Sequence, residues 1–208
     1  YMTDIEALDR KRDLIQAHEA LFSRRLASRV VDVPEVHVWM ILIPIIFVLH
    51  FFRLNQAKEA KKQFAEGYMI SRRQALDAVW EAMRANPPAK PSAGKKPTEE
   101  TLDKLCEMSA VPKKALPKYR PFIEMLAEHY ADLLSAKGGT YEDLVRRAYS
   151  SRTNYLLFVN QLNNAERAFN KAIRPHLPEE VEAAKDVVAS MEKSMVEIRK
   201  EQARSIFA

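Results

Sequence analysis

Cysteine and glycine are scarce in this 208-residue chain. The one cysteine, Cys106, excludes an intramolecular disulfide and any Cys-x-x-Cys metal or redox pair. Four glycines occur, Gly67, Gly94, Gly138 and Gly139, far below the usual share of about 7%. Glycine-rich phosphate loops and folds made of many tight β-turns need more. No G-x-G-x-x-G, phosphate-loop, H-E-x-x-H, G-x-S-x-G or EF-hand pattern is present. The sequence therefore offers no catalytic residues and no metal ligands, and neither an enzyme nor a cofactor-dependent protein is expected. Cys106 follows Leu102 and Leu105 at helical spacing and reads as a small, buried apolar residue.

Low glycine with abundant Ala, Leu, Glu, Lys and Arg favours helix. The predicted fold is all-α. At 29% charged and 47% hydrophobic residues, the chain can bury a core and is not a disordered polyelectrolyte. Its net charge is +5, which suits an anionic surface.

One apolar run stands out. Val36 to Phe52 is 17 residues without a formal charge, bounded by Glu35 and Arg53. As a helix it measures about 25 Å, at the short end of what crosses a hydrocarbon core of about 30 Å. No polar face remains over its turns, which favours lipid over a half-buried surface helix. Trp39 and the Phe51–Phe52 pair sit near its ends, where interfacial aromatics are common. The leading expectation is a single-pass transmembrane helix; a re-entrant hairpin bent at Pro44 and a buried core helix are the alternatives. The 35 residues ahead of it are too long for the charged region of a secretory signal, so the segment is expected to stay as an anchor.

The flanks carry the orientation signal. Arg24, Arg25 and Arg29 precede the run, and Arg53, Lys58, Lys61, Lys62, Arg72 and Arg73 follow it. The positive-inside rule then expects a cell-membrane protein (the cytoplasmic membrane in a bacterium) with its C-terminal domain in the cytoplasm. A hairpin would instead place both flanks on the cytoplasmic side. Together with Trp39, the six cations after the run are the expected contacts with anionic head groups, each contributing on the order of 1 kcal/mol.

Five regions are expected: an amphipathic N-terminal helix in 1–35, a membrane segment in 36–54, juxtamembrane helices in 55–86, a Pro- and Lys-rich linker in 87–97 and a helical bundle in 98–208. The first helix carries Ile5, Leu8, Leu14, Ile15, Leu21, Phe22 and Leu26 at spacings of 3, 4 and 7. Ser71-Arg-Arg-Gln74 matches a capping box and predicts a helix start there. Residues 111–121, with three prolines, read as a loop, and Gly138–Gly139 as a helix stop. In the last helix Val181, Ala184, Val188, Met191, Met195 and Ile198 make a heptad stripe, a candidate oligomer seam.

Two further features bear on function. His37 and His50 lie in the apolar run, where ionisable groups are functional suspects. As cofactor candidates they would supply haem ligands. Along one helix, however, their 13-residue separation turns them roughly 140° apart at about 100° per residue. The amides Asn160, Gln161, Asn163 and Asn164 crowd one helix and are expected to cap it or to bond between helices. Nucleic acid is not an expected partner, because no basic recognition helix is present. The functional expectation is a non-enzymatic, membrane-anchored helical scaffold or adaptor that self-associates. The alternatives are an accessory subunit of a larger membrane complex and a membrane redox subunit.

Overall fold

The computed structural model describes residues 4–30, 57–85, 97–109, 111–173, 175 and 185–208. Among them are seven helices and no strand: α1 (Asp4–Val30), α2 (Ala57–Ala85), α3 (Glu99–Met108), α4 (Leu116–Ser135), α5 (Tyr141–Tyr149), α6 (Arg152–Ile173) and α7 (Lys185–Ile206). The all-α expectation holds. Among the described residues no helix is long and apolar enough to cross a membrane. A transmembrane helix is therefore not part of the described fold, and residues 36–52 lie outside it.

α1 and α2 form an antiparallel pair. Trp80 Nε1 donates to Asp9 at 2.9 Å, Arg12 pairs with Asp77 at 2.8 Å, Arg72 with Glu19 at 3.3 Å, and Phe22 stacks near Tyr68. Positions rise along α1 as they fall along α2, so Val30 and Ala57 sit at one end of the pair. α7 also runs antiparallel to α1: Gln202 meets His18, and Glu201 meets Arg25 and Arg29. α2 packs on α4, α4 on α6 and α6 on α7, which closes a ring of five helices. α3 lies against α4 and α2, and α5 against α4 and α6.

Two apolar clusters fill this ring. The larger gathers side chains from all seven helices, including Ile15, Leu76, Leu102, Tyr130, Leu144, Leu162 and Ile206. Side chains on both sides of the 87–97 composition break share it. The smaller unites Phe22, Leu26 and Val30 of α1, Phe64 of α2, and Met191, Met195 and Ile198 of α7. It forms a three-helix stalk at the Val30 end. Ile15, Phe22, Leu26 and Val30 are at most 4% exposed. Burial of each such side chain contributes about 1.5–3 kcal/mol, so α1 is an integral part of the body. The outer residues of its predicted stripe, Ile5 and Leu21, remain exposed.

Several local expectations are corrected. α2 runs unbroken through Ser71–Gln74, so no capping box forms there; the Ser71 hydroxyl instead accepts from Tyr119 at 3.3 Å. α4 begins at Leu116, inside the predicted loop. Pro117 occupies its first turn, where a missing N–H costs nothing, and Pro121 follows within the helix. That helix ends on Ala136 in an extended conformation, and neither Gly138 nor Gly139 has positive φ. Gly138 is there for space: a Cβ on it would stand 2.7 Å from Asp143 Cβ. Thr98 and Thr140 cap α3 and α5, each side-chain oxygen accepting a backbone N–H three residues on.

Candidate functional site

Between the two apolar clusters lies a layer of buried charge. Each of four helices places one ionisable residue on its inward stripe: Glu19 on α1, Arg72 on α2, Glu166 on α6 and Arg199 on α7. Arg72, Glu166 and Arg199 are 4–5% exposed. Arg72 Nη2 lies 2.6 Å from Glu166 Oε1, and its Nε lies 3.3 Å from Glu19 Oε2. Arg199 Nη1 forms an ion pair with Glu166 Oε2 at 2.7 Å. The same guanidinium donates to the Asn163 amide oxygen and, at 3.3 Å, to the Tyr68 hydroxyl. The Tyr130 hydroxyl donates to Glu19 Oε1 at 2.9 Å. Arg72 stacks 3.7 Å from the Tyr68 ring centre. Two cations face two anions, so the layer is neutral overall and its charges are spent on one another.

This mutual pairing sets the protonation states. Burial alone would raise the Glu166 carboxyl, but the Arg199 and Arg72 guanidiniums outweigh it and hold it below the ordinary carboxylate range. Burial works against the Arg72 charge, yet Tyr68, Glu166 and Glu19 hold it firmly protonated. The Tyr68 hydroxyl is pushed up, mainly by burial.

Two small cavities flank Arg72 and Tyr68. One, of about 60 Å³, lies between α2, α4, α6 and α7 against Phe122, Phe169, Met191 and Met195. The other, of about 30 Å³, reaches His18, His129, Tyr141 and Gln202. A water needs roughly 10–15 Å³ of such space and several polar partners, so the second accommodates water. His18 stacks on Tyr141 at 3.5 Å and pairs with Gln202 at 3.0 Å. Burial lowers its pKa. His129 contacts the Tyr149 hydroxyl at 2.7 Å, and burial, helped by the nearby His18, Arg199 and Arg72 charges, pushes its pKa down to about 3. Both imidazoles are neutral near pH 7. Among the described residues no group of three His, Cys, Asp or Glu side chains could hold a metal ion.

The residues singled out from sequence fare unequally. Arg72, expected at the membrane surface, is instead the hub of the buried layer. It occupies an inward position of α2, where Nη1 donates to the Tyr68 carbonyl, Nη2 donates to Glu166 and Nε pairs with Glu19. Arg73, its neighbour, is half-exposed and pairs with Glu66 at 3.0 Å. Lys58, Lys61 and Lys62 fall in the first turns of α2, with Lys62 exposed. Trp39, Arg53, His37 and His50 lie outside the described residues, as do Val181 and Ala184; Val188 stands on α7. Met191, Met195 and Ile198 are 5%, 2% and 0% exposed. The chain's own stalk already covers them, which leaves them no surface for an intermolecular seam. Of the crowded amides, Asn163 bonds to Arg199 within the layer, whereas Asn160, Gln161 and Asn164 are exposed. Cys106 is half-buried, and burial raises its thiol pKa.

The sequence reading missed Glu19, Tyr68, Tyr130, Glu166 and Arg199, although a signal was there. Glu19 falls in the series Ile15, Phe22, Leu26, and Glu166 in the series Val159, Leu162, Phe169, Ile173. Arg72 interrupts Ala65, Met69, Leu76, Val79, Met83 in the same way. A charge at an inward position of an apolar stripe requires a buried partner. No known family model, curated protein or solved structure matches this chain.

Proposed function

We propose that this chain is a non-enzymatic, membrane-anchored helical scaffold or adaptor. The buried charge layer carries the reading. Its two arginines and two carboxylates pair with one another and tie α1, α2, α6 and α7 together. A catalytic centre would aim such groups at a ligand; here they act as a clamp that holds a shape. The anchor is residues 36–52, whose length and all-round apolar character suit lipid. It departs from the stalk end, where α1 ends and α2 begins, and Arg24 and Lys62 there are exposed to anionic head groups. Self-association or a partner subunit would use the outer surface, on which Leu21, Met108 and Leu157 are exposed.

The test is purification of the full chain in mild detergent from its native cells, with mass by light scattering and identification of companion chains. A defined multimer, or companions in fixed ratio, supports the scaffold. A monodisperse monomer without companions overturns it. Flotation with vesicles tests the anchor separately: Ile43→Asp with Ile46→Asp is expected to abolish it.

A further inference from the structure

We infer that this protein meets its membrane from one side only, with α1 and α2–α7 in the same compartment and the stalk end turned toward anionic head groups. The inference rests on the membrane-anchored reading above, and its ground is the antiparallel pairing of α1 with α2. Four contacts, from Asp9–Trp80 to Phe22–Tyr68, set that register. The chain leaves α1 at Val30 and rejoins α2 at Ala57, at the same end of one pair. Packed helix axes stand about 8–10 Å apart, so the 26 residues between begin and end close together.

One full crossing would carry α1 to the far face of a hydrocarbon core about 30 Å thick. There it could keep neither its contacts with α2 nor its place beside Arg72 and Arg199. Two crossings would restore the sides, but a lone segment crosses lipid as helix, and each crossing takes about 20 residues. Twenty-six residues are too few. Even a continuous helix of half that length would span only about 20 Å, short of a core about 30 Å thick. The charge pattern agrees. With both flanks on one side, Arg24 before the apolar run and Lys62 after it face the same head-group layer. The cations that oppose each other across a single span then act together.

The experiment places one cysteine at a time in a Cys106→Ser background, at Arg10→Cys on α1 or Arg204→Cys on α7. Both positions are exposed. The full-length protein is produced in cells, and sealed membrane vesicles of uniform orientation are treated with a membrane-impermeant maleimide before and after detergent. The expected result is that the two positions behave alike before detergent, both labelled or both protected, and label fully after it. One position labelled and the other protected would overturn the inference while leaving the anchor intact. Protein that fails to float with the vesicles would overturn the anchoring and, with it, this inference.

Discussion

Arg72 offers the sharpest perturbation. Arg72→Met keeps most of the volume and the stem but removes the guanidinium. Glu166 keeps Arg199 at 2.7 Å, whereas Glu19 retains only the Tyr130 hydroxyl among its buried partners here. Breaking a buried pair by removing one member costs about 3–5 kcal/mol, because the abandoned charge stays desolvated. In a body of this size each kcal/mol moves Tm by about 2–4 °C, so a fall of roughly 6–20 °C is expected. Arg73→Met is the internal control. It lies one residue away on the same helix, its pair with Glu66 is well exposed, and such pairs contribute about 0–1 kcal/mol. Thermal unfolding of both variants in the same detergent, followed by circular dichroism, makes the comparison. If the orphaned Glu19 is the source of the cost, adding Glu19→Gln to Arg72→Met should recover part of it. Equal melting of the two single variants would refute the clamp.

The remaining predictions concern pH, caps and the stalk. Glu166 has a folded pKa below its ordinary value of 4.5, so its contribution is complete above about pH 4.5 and is lost as pH falls through the folded value; Arg72→Met should flatten that acid limb of the urea midpoint. His129, with a folded pKa of about 3 against 6.5 unfolded, makes stability decline from about pH 6.5 toward pH 3, and its NMR resonance should show no titration between pH 5 and 8. Ile198→Ala should cost about 2–5 kcal/mol in urea unfolding and leave the native mass unchanged; a shift in mass by light scattering would restore the intermolecular seam. Ser150 closes α5 at φ 61°, so Ser150→Gly should raise the urea midpoint by up to about 1 kcal/mol of stability, and Thr140→Ala, at the other end of the same helix, should lower it by about 0.5–2 kcal/mol.

Much of this architecture was determined by the chain alone. Scarce glycine and 3-4 spacing dictated helix. The threonine caps at Thr98 and Thr140 and the serine at Ser151 act locally, through bonds three residues long, and so could be read locally. The stripe of α1 was legible for the same reason, because each inward position depends only on 3.6-residue periodicity. What lay beyond reach was the identity of each stripe's partner. Met191, Met195 and Ile198 make the same pattern whether they face a second chain or Phe22, Leu26 and Phe64 of their own. Arg72 counts as a flanking cation until Glu19, 53 positions earlier, and Glu166, 94 positions later, are brought beside it. A charge on an apolar stripe announces that it must be neutralised, but sequence does not say by which residue, because Coulomb attraction acts through space and only the tertiary fold sets those distances. The same holds for the apolar run. Its hydrophobicity is written in residues 36–52, whereas the return of the chain along α2, antiparallel to α1, is set by contacts such as Asp9–Trp80 and Arg12–Asp77 that only the tertiary structure makes.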